Sequence, residues 1–206
     1  MNESIGLTNP AQARAEDDPQ RFFWYGVWVL IMAVSALPLL GLVRIPRLFD
    51  YIPTLVVHEV AAFLFFGHTF FSNIWALQIR IAQPAPMGVW ARSNLRLLCL
   101  SVTAPTSVII PLFGLMLMED LGGLLNVPWA WDAYFVFWLM AGFSIVPDVI
   151  RYGRNRNADN PRHGVMSGGI RGMLALVATL YIMIYSMVVK SSLFAVPLQR
   201  LLGIGA

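Results

Sequence analysis

Long apolar segments limit what this chain can fold into more than any other feature of its sequence. The longest, residues 52–79, can cross a bilayer on its own, because about 20 apolar residues in a helix span the hydrocarbon core. Of the 206 residues, 58% are hydrophobic and 12% are charged, whereas soluble domains contain about 25% charged residues. The composition therefore predicts a polytopic membrane protein.

Hydropathy predicts five membrane-spanning segments. Their ranges are 22–43, 52–79, 95–118, 131–149 and 172–193. Lipid cannot satisfy open backbone polar groups, so these spans must be helices. We expect an all-α membrane helical bundle that forms one domain over residues 22–206. Residues 1–21 are polar and are predicted to be a disordered cytoplasmic tail.

The distribution of Lys and Arg predicts the orientation of the bundle. The tail and the loops after the second and fourth spans carry ten of the 14 basic residues. Cytoplasmic segments are enriched in Lys and Arg, so the N-terminus is predicted inside and the C-terminus outside. We expect a multi-pass protein of a bacterial inner membrane, with the lipid bilayer as a partner. The sequence contains no basic stripe interleaved with aromatic residues, so it does not predict nucleic-acid binding.

Cysteine chemistry is limited by a single residue, Cys99. One cysteine excludes an internal disulfide and a cysteine-based zinc site. Its apolar neighbours predict a buried, inert thiol.

The second span carries the candidate site, because it contains His58, Glu59 and His68. Ionisable side chains at membrane depth usually face a protein interior and mark a site. At about 100° per residue, Glu59 and His68 point in nearly opposite directions, and His58 lies between them. His58 is therefore predicted at the centre of an inward face, in the outer part of the bilayer. Small residues such as Ala62 leave room beside it for a partner helix or a planar cofactor.

A first interpretation is that His58 ligates haem iron, because a neutral imidazole is a common axial ligand. His68 and Ala62 then complete the predicted cofactor-binding residues. No second membrane histidine is positioned to share the iron, since His163 lies in a predicted loop. A dimer could supply His58 twice, and the candidate second ligands within one chain are Met116, Met118 and Met140.

Two other interpretations stay open. His58 and Glu59 are a candidate metal pair for copper or zinc, since imidazole and carboxylate are suitable ligands. External carboxylates that could add to this pair are Glu119, Asp120 and Asp132. Alternatively, no cofactor is bound and the polar residues make interhelical hydrogen bonds. The candidate partners for such bonds are Thr103, Thr106, Ser107 and Ser144.

Residues 58–71 read HEVAAFLFFGHTFF. A histidine, an apolar run, a glycine and then aromatic residues resemble a helix of small bacterial integral membrane proteins. These include the copper-resistance D-like family and the haem-containing membrane protoporphyrinogen oxidases. The resemblance implies a four-helix bundle behind an added first span, and it implies that His58 contacts haem b.

The leading functional hypothesis is electron transfer by haem b, or by a related redox or pigment cofactor, within a larger membrane complex or a homo-oligomer. One alternative is a non-catalytic accessory subunit of an energy-converting complex. Another is copper handling. The sequence leaves open whether the chain is an enzyme.

Overall fold

A computed structural model describes residues 20–84, 87, 90–91, 94–95, 98–154 and 165–204. All regular secondary structure in these ranges is helical, which confirms the all-α prediction for this part of the chain. The predicted tail up to residue 19 and the loop that carries His163 lie outside the described residues.

Six α-helices have described bounds, and each predicted span overlaps one of them. They are α1 (Gln20–Leu39), α2 (Tyr51–Ala82), α3 (Ala104–Glu119), α4 (Pro128–Arg154), α5 (Val165–Leu180) and the short α6 (Ala195–Leu202). Two π-helical segments flank them: Cys99–Thr103 leads into α3, and Tyr181–Val188 continues α5. A single 3-10 turn, Leu124–Asn126, precedes α4.

Three helical stretches within the described residues are long and apolar enough to cross a membrane: Tyr51–Ile79, Ser101–Glu119 and Ile170–Val188. A shorter apolar stretch, Val29–Leu39, lies in α1. Large apolar side chains are exposed along these helices, with Phe63 at 75% and Phe71 at 71% exposure. Such surfaces suit lipid, because soluble proteins rarely expose large contiguous apolar patches.

The proline positions explain one irregularity. Pro105 lies in the first turn of α3, directly after the π-helical segment, and the backbone N–H of Ala104 donates to the carbonyl of Cys99. Pro105 has no N–H to continue the α-helical ladder, so a wider turn before it is accommodated. A π-helical turn thus lies directly before this proline. Cys99, predicted to be buried, is instead exposed on this turn.

Helix packing places the core between α2 and α4. Helix α2 packs mainly on α3 and α5, whereas the π-helical continuation of α5 packs mainly on α4. An aromatic chain joins the two sides, with ring centroids 5.2 Å apart for Phe65 and Phe137 and 5.2 Å apart for Phe137 and Trp138. Helix α5 therefore changes its main neighbour along its length, from α2 to α4.

Asp132 ties the chain after the last span to α4. It is fully buried, and its Oδ2 accepts from Tyr181 Oη at 2.5 Å, from Leu193 N at 2.6 Å and from Phe194 N at 3.0 Å. A buried carboxylate needs such donors, since an unsatisfied charge in the interior is strongly unfavourable. Asp132 therefore fixes the turn that leads into α6 through Oδ2, while its Oδ1 is buried without a hydrogen-bond partner among the described residues.

We expect Asp132→Ala to destabilise the fold by about 3 kcal/mol, because three donors to a charged acceptor lose their partner. The matched control is Asp120→Ala, which removes the partly exposed ion pair with Arg47 and should cost less than about 1 kcal/mol. Thermal unfolding in detergent micelles measures both. Equal melting temperatures for the two variants would contradict this role of Asp132.

Candidate functional site

His58 is held by a backbone carbonyl of the neighbouring helix. It lies on α2, and its Nδ1 is 2.9 Å from the carbonyl oxygen of Ile110 on α3. A carbonyl can only accept, so the hydrogen lies on Nδ1 and the lone pair of the neutral ring lies on Nε2. The ring nitrogen that remains is therefore the one able to ligate a metal or accept a proton.

Gly114 makes this close approach sterically possible. A Cβ atom at position 114 would lie 3.0 Å from His58 Cε1 and 3.3 Å from Nδ1. These distances are shorter than ordinary van der Waals contact between such atoms. Gly114 on α3 thus leaves the space that the imidazole ring occupies. It lies one helical turn after Ile110, whose carbonyl the ring contacts.

A cavity of about 580 Å³ opens beside His58. Its walls come from α2, α3, α4 and the π-helical segment Tyr181–Val188. The lining is mainly apolar and includes Phe66, Leu115, Phe137 and Ile182. A volume of about 300–1,000 Å³ with few polar groups is typical of small-molecule and cofactor sites.

Charged side chains lie around the cavity. Glu59, Asp120 and Lys190 are among its lining residues. Asp120 is paired with Arg47, whose N–H donates to the carboxylate. Lys190 places its Nζ 3.7 Å from the ring centroid of Trp129, in a cation–π contact. The cavity thus combines an apolar interior with both signs of charge.

The predicted site residues divide into two groups. His58, Glu59 and Ala62 line the cavity together. His68 does not: its Nδ1 is 2.9 Å from Thr103 Oγ1, one of the hydrogen-bond partners predicted for this helix. Its Nε2 is buried and has no hydrogen-bond partner among the described residues. The two histidines therefore occupy separate environments, although both are predicted to bind the cofactor.

The three candidate methionine ligands also separate. Met118 lines the cavity. Met116 is almost fully buried outside it, and Met140 lies next to Thr179, whose Oγ1 is 4.0 Å from its sulfur. Of the three, Met118 is the one that shares the cavity with His58.

Sequence reasoning missed Met183, Met187 and Lys190, which line the cavity from the far end of the chain. The i, i+4 spacing of the two methionines puts them on one helix face, and that spacing was the available signal. Their distance from His58 along the sequence hides the contact, because only the packing of the last span brings them to α2.

No group of three or more His, Cys, Asp or Glu side chains in the described ranges could hold a metal ion. A metal cage made of such ligands is therefore not formed by the described residues. The arrangement at His58 is one imidazole facing an apolar cavity. It suits a metal-containing ligand whose own atoms already occupy most of the coordination positions of the metal.

We expect Gly114→Ala to displace the His58 ring and to destabilise the protein by about 1–3 kcal/mol, as overpacking generally does. The matched control is Gly67→Ala, because a Cβ there meets no atom within 4 Å. That control should leave stability unchanged or raise it slightly through helix propensity. The stabilities of the two variants are compared by their unfolding midpoints in the same detergent. A Gly114→Ala variant as stable as Gly67→Ala would show that the His58 ring does not pack against Gly114.

Comparison with protein-family models, with curated proteins and with solved structures finds no match for this chain. The function proposed below is argued from the residues of the site.

Proposed function

We propose that the cavity binds haem b, or a closely related planar redox cofactor, with His58 Nε2 as an axial ligand to the metal. The observation that carries the proposal is the hydrogen bond between His58 Nδ1 and the Ile110 carbonyl. Histidines that ligate metals almost always donate their other ring N–H to a carbonyl or carboxylate, which fixes the ring and makes it more basic. His58 has this arrangement and lines the cavity.

The residues around the cavity fit such a group. The volume of about 580 Å³ lies within the range of small-molecule sites, and the apolar walls suit a porphyrin face. Haem needs only one or two protein ligands, so the absence of a larger ligand cluster in the described ranges does not count against it. Met118, Met183 and Met187 are the candidate second ligands that the cavity offers.

We place the protein in a bacterial inner membrane with five spans, the N-terminus in the cytoplasm and the C-terminus outside. The ten-to-four distribution of basic residues supports this orientation, and helices at all five predicted positions support the count. His58 then lies towards the external face.

The proposed role is electron transfer. When bound, a haem group supplies one-electron redox chemistry, while the chain orients it through His58 and shields it with apolar side chains. Electrons must arrive and leave, so we propose that the protein works within a larger membrane complex or with a second copy of itself.

His58→Ala is expected to abolish the Soret band of protein purified from haem-supplemented cells, because the axial ligand is lost. The matched control is His68→Ala, which removes a histidine of the same helix that does not line the cavity and should keep the band. His58→Gly with added imidazole should restore it, which separates ligation from folding. A Soret band that survives His58→Ala, or none in the unmodified protein, would overturn the proposal.

Copper handling is the second candidate, and one observation favours it. Three methionines, Met118, Met183 and Met187, line the same cavity as His58. Thioether and imidazole ligands are suited to copper(I).

Elemental analysis of the purified protein distinguishes the two candidates. If copper but no iron co-purifies with the protein, and if the double variant Met183→Leu, Met187→Leu loses that copper, copper handling is favoured. Neither metal would favour a non-catalytic accessory subunit.

A further inference from the structure

Lys190 has an unusual backbone conformation at the cavity. Its φ angle is 58°, and it is the one non-glycine residue in the described ranges with a positive φ. Left-handed backbone is unfavourable for a residue with a long side chain, and it persists where the surroundings determine it. Such positions are concentrated at ligand and active sites.

The chain on both sides of Lys190 is fixed by hydrogen bonds. Before it, Val189 N donates to the Ile184 carbonyl at 2.9 Å, and after it, Ser191 N donates to the Tyr185 carbonyl at 3.2 Å. Beyond that, the backbone N–H groups of Leu193 and Phe194 donate to Asp132. The conformation at position 190 is therefore imposed by its flanks, and it directs the side chain over Trp129.

The Lys190 ammonium group is the one Lys or Arg group among the cavity-lining residues. No carboxylate oxygen of the described residues lies within 4.0 Å of it, since the ion pair they form joins Arg47 and Asp120. The negative charge of Glu59 acts on the ammonium from a longer distance. The ammonium thus has an electrostatic neighbour but no close anionic partner.

We infer that Lys190 binds an acidic group of an amphipathic ligand whose apolar body fills the cavity beside His58. The inference rests on the proposed function, and for haem b the acidic group is a propionate carboxylate. A charge-assisted hydrogen bond from an ammonium to a carboxylate is among the stronger polar contacts, and a low-dielectric surrounding strengthens it. Trp129 holds the ammonium in place through its ring face.

The test uses metal-free protoporphyrin IX and its dimethyl ester, which differ only in the two carboxylates. Binding of each to the full-length protein in detergent is followed by porphyrin fluorescence. The protein should bind the acid more tightly than the ester. Lys190→Asn, which removes the charge and tolerates the left-handed backbone, should weaken binding of the acid about tenfold and leave the ester unchanged.

Three further variants sharpen the result. Lys190→Arg should restore the preference for the acid. Arg200→Asn removes an exposed cation of α6 that does not line the cavity and should change neither affinity. Glu59→Gln removes a negative charge that competes with the ligand carboxylate for Lys190, so it should strengthen binding of the acid. The expected change in affinity is thus opposite in direction to that of Lys190→Asn.

The porphyrin contains no iron, so its binding does not depend on ligation by His58. A preference for the acid that is lost in Lys190→Asn supports the inference even if the Soret experiment fails. Equal affinity of the unmodified protein for acid and ester, or no binding of either, would overturn it, as would an unchanged preference in Lys190→Asn.

Discussion

The hydrogen bond from His58 to the Ile110 carbonyl is the interaction on which the site depends. Within a membrane a polar side chain needs an internal partner, because lipid offers none. Here the partner is a backbone group of α3 at 2.9 Å, and Gly114 supplies the space that the ring requires. The bond joins α2 to α3, fixes the ring hydrogen on Nδ1 and leaves Nε2 as the reactive nitrogen. A single contact thus joins the two helices and determines which ring nitrogen of His58 is free.

The cavity lies among helices that come from distant parts of the chain. Helix α5 packs on α2, whereas its π-helical continuation packs mainly on α4, and the cavity beside His58 is lined by α2, α3, α4 and this continuation. A π-helical segment often marks a functional position in a helix. Asp132 then fixes the chain beyond this segment through Tyr181, Leu193 and Phe194. The apolar walls, the histidine and Lys190 are therefore held by parts of the chain that are distant in sequence.

Sequence reasoning predicted the all-helical structure, because an apolar run of this length has few alternatives in a membrane, and three described helical stretches are long and apolar enough to cross one. Thr103 was among the partners predicted for the polar residues, whereas His68, predicted to bind the cofactor with His58, does not line the cavity. The partner of His58 was not predictable, since every residue carries a carbonyl and only packing selects that of Ile110. Lys190 was missed for the same reason. Cys99 was predicted to be buried from its apolar neighbours, which in a membrane protein indicate lipid as readily as protein.

The most direct test of the proposed role of His58 is the protonation of its ring. It is measured by ¹⁵N NMR on protein with labelled histidine, and the His58 signals are assigned by comparison with His58→Ala. We expect a neutral ring with its hydrogen on Nδ1 and a free Nε2. When ferric haem is added, the Nε2 signal of His58 should shift and the signals of the other histidines should not. A ring with its hydrogen on Nε2, or a His58 signal that haem leaves unchanged, would contradict it.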